Sequence, residues 1–310
     1  MLTHSWVRYS YLRKGFAVQP SESGSPITSE VQCYGIASVF TPVPNRSKGY
    51  AKHMMRLLHW VMAPHAALPP FPNAWGAPPE ATGKARFSVL YSDIGDFYLL
   101  CGPTEEAGKG WAIRDAIWTL WDVGWASEST GDEPGELEWL DIPGVNKLLG
   151  ADSETMKRDV VEWTKSTGRT SVAFLPWEGV GLYQIQRVLF SSPVPQITKW
   201  GVLLKDASSK DGDRPTFAAW SIDKGPSSMH LVIIRLRATQ TTFPHLLRKI
   251  LEVAREHGLE KVEVWNLPME LVGVASELGG QTTERDMHLP SFVWYGDGQA
   301  ANIDWLFNEK

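Results

Sequence analysis

Cysteine is scarce, at two in 310 residues. Cys33 and Cys101 both lie in apolar surroundings, which suits reduced core thiols and excludes a disulfide-built scaffold. Also missing is any apolar run near the ~18 residues that a membrane-spanning helix needs, and the first residues carry no signal-type apolar segment. A soluble, cytoplasmic protein is the expectation, with no membrane partner. Lys and Arg number 30 against 35 Asp and Glu, a net charge of −5. The densest basic stretch is only Arg46 to Lys52, so nothing asks for nucleic acid. The eight histidines are scattered without metal-ligand spacing, so no metal is expected. No G-x-S-x-G elbow, no P-loop ending in Gly-Lys-Ser/Thr and no G-x-G-x-x-G occurs. The formal sequon Asn45-Arg46-Ser47 has no weight without a secretory signal.

What is present is apolar material, 43% of residues, enough to fill two cores. Val31 to Phe40, rich in β-branched and aromatic residues, reads as an interior strand covered on both faces. Pro42 and Pro44 stop it. After Arg46-Ser47-Lys48-Gly49, the residues Tyr50, Met54, Leu57, Leu58 and Val61 recur at helical spacing. Lys52, His53, Arg56 and His59 fall on the other, solvated face. A helix that opens this way carries unpaired backbone N–H groups and the positive end of the macrodipole. Together these attract a pyrophosphate. Gly49 marks where an anion approaches the backbone, Arg46 and Lys48 add charge, and Ala51 keeps the first turn narrow. The plainer alternative is a solvated strand-to-helix turn.

Arg46-Ser47-Lys48-Gly49-Tyr50-Ala51 resembles the Arg/Gln-x-x-Gly-x-Gly/Ala signature of the GNAT N-acetyltransferase superfamily, whose loop holds the pyrophosphate of acetyl-CoA. Phe87 to Gly102 resembles that superfamily's fifth strand and the short helix after it, which bears an Asn-x-x-Ala-x-x-Phe-Tyr pattern. Phe97 and Tyr98 fit, while Ser92 and Gly95 replace the Asn and Ala. More narrowly, Tyr34 to Pro42, Leu90 to Gly95 and the long tail are similar to the fungal lysine N6-acetyltransferase family of lysine catabolism. The resemblance implies a mixed α/β (α+β) GNAT acyltransferase fold with acetyl-CoA as co-substrate. It places Arg46, Ser47, Lys48, Gly49, Tyr50 and Ala51 at the cofactor, with Val39, Phe40 and Thr41 at the strand end and Ser92 beyond. The implied partner is a small-molecule amine, the side-chain amine of free lysine. A protein lysine, a polyamine or another small amine stays open, as does an inactive, truncated CoA-binding or interaction protein.

Residues 1–126 read as the acetyl-CoA domain, with one strand from Trp6 to Val18. The front of the usual GNAT fold reads as missing, since little chain precedes the cradle strand. Pro64 to Gly83 reads as an irregular loop around Phe71 and Trp75, and Gly110 to Trp118 as a further strand. Residues 127–135, acidic and Gly/Pro-bearing, read as a linker. In 136–310 the pattern predicts helices at Ile142 to Leu149 and, capped by Ser153, from Ser153 to Trp163. Strands are expected at Thr216 to Ile222, Met229 to Ala238 and Lys261 to Leu267, with a final one at Ser291 to Tyr295. Helices are expected at Phe243 to Gly258 and Pro268 to Leu278. This order repeats that of the first half, which implies a second, degenerate GNAT-like domain. Ala238-Thr239-Gln240-Thr241-Thr242 stands where its cradle would be, without glycine or useful charge, so it has no pyrophosphate loop.

Acetyl transfer to an amine needs a neutralised diphosphate, N–H donors for the carbonyl and management of two protons. A strand that splays from its neighbour frees N–H groups for the developing oxyanion, and Val39 is the candidate donor. By resemblance, Tyr98 returns a proton to the leaving thiolate, and a phenol of pKa ~10 is protonated at neutral pH. A core tyrosine packed beside Phe97 is the alternative. Asp93 reads as a base or as a helix cap, and the base stays unassigned. Glu178, next to Trp177, is a candidate for holding a substrate ammonium.

Overall fold

Runs of alternating apolar and polar residues give long strands at the start of the chain: β1 (Val7–Gln19) and β2 (Ile27–Phe40). The computed structural model describes residues 7–22, 24–80, 83–106, 109–124, 135–177, 179–191, 197–205, 214–224 and 229–308. After β2 come helix α1 (Tyr50–Met62), β3 (Ala85–Ser92), β4 (Ala112–Ile113), β5 (Ile117–Asp122) and β6 (Glu136–Leu140). Then follow α2 (Ile142–Thr167), β7 (Thr170–Phe174), α3 (Tyr183–Ser191), β8 (Gly201–Lys205), β9 (Thr216–Lys224) and β10 (Met229–Arg237). The last elements are α4 (Phe243–Glu256), β11 (Lys261–Trp265), α5 (Met269–Glu277), β12 (Gln281–Glu284), β13 (Leu289–Trp294) and β14 (Ile303–Trp305).

The strands form two mixed sheets, ordered β14-β7-β1-β2-β3-β13-β4 and β12-β5-β11-β10-β9-β8-β6. Each belongs to one compact unit. The first unit comprises Met1–Ala116, Asp159–Phe174 and Arg285–Leu306, and the second Ile117–Arg158, Leu175–Glu284 and Phe307–Lys310. The mixed α/β architecture agrees with the sequence reading. Contacts group the chain differently from a single cut at 127–135, however, and residues 127–134 of that linker lie outside the described ones.

The two sheets repeat one pairing scheme. β1 pairs antiparallel with β2, β2 parallel with β3, and β3 antiparallel with β13. Likewise β9 pairs antiparallel with β10, β10 parallel with β11, and β11 antiparallel with β5. A helix, α1 or α4, makes the crossover each time, as a parallel pair requires. The fourth strand of each set is exchanged. β13, from late in the chain, completes the first sheet, and β5, from its first half, completes the second. Consequently Gly110 to Trp118 is not one strand: β4 ends before Asp115, which is left-handed at φ 43, and β5 begins in the other sheet. Nor is Ser291 to Tyr295 the final strand, since β14 follows and pairs with β7.

Three further expectations are corrected. β2 is not covered on both faces; of Ile27 to Phe40 only Cys33 and Ile36 are buried. The two helices expected around Ser153 are one helix, α2. Ser153 caps nothing, because its buried hydroxyl donates to the Leu149 carbonyl one turn back at 3.0 Å. The helix after β3 is only a 3-10 turn, Gly95–Phe97.

Packing follows the sheet faces. In the first unit α1 sets Met55, Leu58 and Met62 against Ile36 and Leu90 of β2 and β3. On the opposite face Cys33, Phe87, Val172 and Phe292 meet. In the second unit α4 buries Leu246, Leu247, Ile250, Leu251 and Ala254, the stripe its spacing predicts.

Candidate active site

Two strands part company at the end of their ladder. The β2–β3 ladder ends at Ile36↔Leu90, yet β2 runs on through Ala37, Ser38, Val39 and Phe40, and β3 through Tyr91 and Ser92. A bulge starts the divergence: from Ala37 to Phe40 β2 takes one more residue than β1 does opposite, and Ser38 sits at φ 55. Bulges bend a strand and re-aim its polar groups. The groups of Ser38 to Phe40 that face β3 therefore lie outside the ladder. Val39, the expected carbonyl donor, is in this segment and packs partly against the α1 core.

Beyond Phe40 the chain turns through Val43–Asn45 and enters α1 at Gly49. Gly49 is left-handed at φ 79, and a Cβ built on it would meet nothing within 4 Å. Glycine is thus needed for its backbone angle, and the space above it is open. Ser47 is left-handed too, at φ 60. Arg46, Ser47, Lys48, Gly49 and Tyr50 are all exposed. The first backbone bond of the helix runs from the His53 N–H to the Gly49 carbonyl at 3.0 Å. The amides before it have no acceptor within the helix. Arg46 is steered by its Nε donating to the Thr41 carbonyl at 3.1 Å and lies over the Phe40 ring at 5.9 Å. The expected cofactor residues Phe40, Thr41, Arg46, Ser47, Lys48, Gly49, Tyr50 and Ala51 form one continuous rim. The pairing of β2 with β3 then brings that rim to the same end of the sheet as Ser92.

Ser92 is buried, and its hydroxyl serves the next turn, donating to the Gly95 carbonyl at 3.0 Å and accepting the Ile94 N–H at 3.2 Å. Tyr98 follows the 3-10 turn, edge-on to Phe97 and packed in the cluster with Ile36, Met55 and Leu58. Burial, then Cys101 and Asp93, push its phenol up to about 12. The group stays protonated across the neutral range. Asp93 does not cap the turn, whose N-cap is Ile94 with no side-chain bond. Its carboxylate instead accepts the His288 backbone N–H at 2.8 Å and lies 2.9 Å from His288 Nδ1.

His59 and Arg56 leave the solvated face assigned to them. His59 is fully buried, with Nδ1 2.8 Å from the Tyr295 hydroxyl and Nε2 2.7 Å from the Cys101 carbonyl, and it stacks on Trp111. A carbonyl only accepts, so Nε2 carries the proton and Nδ1 accepts from Tyr295. Burial pushes its pKa down to about 4. Arg56 is buried against Glu105 at 2.6 Å. Sequence reasoning missed His59, because its partners lie 42 and 236 residues away. Glu178 lies outside the described residues. Among the described residues no group of three or more His, Cys, Asp or Glu could hold a metal ion, and no helix is long and apolar enough to cross a membrane.

Residues 122–310 match the family described as the LYC1 GNAT-like C-terminal domain. Among solved structures, a GCN5-related N-acetyltransferase from Kribbella flavida is 12% identical, with 93% of this chain and 57% of that one covered and a TM-score of 0.45. A probable N-acyltransferase from Enterococcus faecalis is 10% identical over 93% and 58%, with a TM-score of 0.48. Eis1 from Mycobacterium abscessus is 10% identical over 95% and 63%, with a TM-score of 0.46. The chain spans about three fifths of the length of these structures. No curated protein matches it.

Proposed function

Because this chain belongs to the GNAT superfamily, in the family of the LYC1 GNAT-like C-terminal domain, we propose that it transfers acetyl from acetyl-CoA to a primary amine. The acceptor proposed first is the side-chain amine of free lysine. One observation carries the reading: exposed amides open a helix, with Arg46 and Lys48 beside them, at the mouth of two parting strands. The amides and cations neutralise the diphosphate. In the parted strands the Val39 N–H lies in the segment suited to hold the thioester carbonyl as negative charge develops on its oxygen. Tyr98, protonated and largely buried, supplies the proton that the departing thiolate needs. In the second unit the turn before α4 lacks such amides, and we assign the co-substrate to the first unit alone.

Release of free thiol from acetyl-CoA, measured with single amines, tests the activity and ranks the acceptors. Lysine giving the fastest release is the expected result; no release with any amine refutes the reading. Arg46→Glu should weaken acetyl-CoA about tenfold or more, since a charge-assisted contact is worth about 1.5–3 kcal/mol. Unchanged affinity counts against the cradle.

A further inference from the structure

The proposed reaction leaves one proton without a taker. An acceptor amine is an ammonium at neutral pH, with an ordinary pKa near ~10.4, and cannot attack until it loses a proton. The pairing of β3 with β13 supplies a group for this. Leu289 lies opposite Ser92, so the next pair outward is His288 and Asp93, at the end of β3 from which the Tyr98 turn departs. One carboxylate oxygen, Asp93 Oδ1, accepts the His288 backbone N–H at 2.8 Å and lies 2.9 Å from the ring Nδ1. The double contact holds the ring, and the negative charge beside Nδ1 favours the proton on that nitrogen. Nε2 is then the basic nitrogen.

Two features set the pair apart from a surface contact. His288 is held left-handed at φ 50, a conformation that costs a non-glycine residue of order 1–3 kcal/mol and that surrounding structure must enforce. Its side chain is nonetheless 40% exposed, so the strain serves no burial.

Resting on the acetyltransferase reading, we propose that His288 is the general base for the acceptor amine, with Asp93 as its positioning residue. Nε2 takes one proton from the ammonium and passes it to water. The freed amine attacks, forming the C–N bond, and collapse of the tetrahedral intermediate breaks the C–S bond. Tyr98 protonates the departing sulfur and recovers a proton from the new amide nitrogen. Atoms and charge balance: ammonium and thioester give amide, thiol and one released proton. The Asp93 charge already reaches Tyr98, helping to raise its phenol, so acid and base share one neighbourhood.

His288→Asn in the full chain is the test, because asparagine tolerates a positive φ and offers no base. With the best amine from the thiol-release panel, kcat should fall about 100-fold or more, the range for a general base. Acetyl-CoA affinity should stay unchanged. Added imidazole should restore much of the rate, which a merely structural role would not allow. Asp93→Asn should also slow turnover, and the double variant should be no slower than His288→Asn alone. A kcat within about threefold of the unsubstituted chain overturns the assignment, as does a loss that imidazole leaves untouched. An unsubstituted chain that releases no thiol with any amine overturns the acetyltransferase reading itself, and the base with it.

Discussion

Lowering the pH should cost this fold a definite amount of stability through His59. The imidazole is sealed between Tyr295, the Cys101 carbonyl and Trp111, and burial pushes its pKa from 6.5 to about 4. In the unfolded chain the same histidine titrates near 6.5. Between those values the unfolded state binds a proton that the folded state refuses, so stability falls as pH falls. It is complete above about 6.5 and erodes through the window down to about 4. Each pH unit there is worth about 1.4 kcal/mol, or about 3 kcal/mol in all. Other groups also titrate, so the measurement is a comparison. Urea unfolding at pH 7 and pH 4 would be run on the natural chain and on His59→Gln, whose amide can face both partners but cannot ionise. The natural chain should lose about 3 kcal/mol more than the variant over that interval. Parallel losses would refute the assignment of a neutral, sealed His59.

Three other changes separate the physical claims. Gly49→Ala meets no atom within 4 Å, so its cost is the strain of φ 79 alone; about 1–2 kcal/mol in denaturant unfolding is expected, and a neutral outcome would mean the loop re-forms. Asp152 is fully buried and accepts Arg235 Nε at 2.7 Å and Arg237 Nε at 2.8 Å. Asp152→Asn should therefore cost about 3–5 kcal/mol, while Glu256→Gln, which breaks the exposed pair with Lys199, should cost under about 1 kcal/mol; similar losses for both would deny the difference in burial. Tyr98→Phe should slow thiol release while leaving acetyl-CoA affinity intact, and a fully active variant would remove the acid role.

What could be seen in the sequence was local. Gly49 announced the start of α1, and the spacing of Leu246, Leu247, Ile250, Leu251 and Ala254 announced both α4 and its buried face. The rim from Phe40 to Ala51 was visible because it is continuous in the chain. Hidden features were those fixed by distant partners. The inner face of α1 is Met55, Leu58, His59 and Met62, and a stripe holding a histidine looks solvated until Tyr295 and Cys101 are placed against it. Likewise Asp93 looked like a cap, since its partner His288 stands 195 residues further on. The run ending at Leu149 and the possible cap at Ser153 suggested a break, whereas α2 runs on with Ser153 bonded back to Leu149. The exchange of β5 and β13 defeats any linear division, for each strand pairs outside its own half of the chain.

The repeated topology isolates the chemistry that distinguishes the units. In the second unit the β10–β11 ladder stops at Ile233↔Val264, with a register shift on β10 between Ile233 and Arg235. That matches the divergence of β2 from β3. The helix entries then differ. Before α4, the Thr239 N–H finds Thr242 Oγ1 at 2.9 Å, and the Thr242 N–H finds Thr239 Oγ1 at 3.2 Å. Phe243 N–H bonds the Thr239 carbonyl at 2.9 Å, Pro244 has no N–H, and His245 N–H bonds the Thr242 carbonyl at 3.2 Å. The threonines thus spend on one another the donors that a diphosphate would need. Before α1 there is no such hydroxyl pair, and Gly49 replaces side chain with open space. One scaffold therefore yields either an open or a self-satisfied helix start, according to whether glycine and arginine or threonine and proline occupy a single turn.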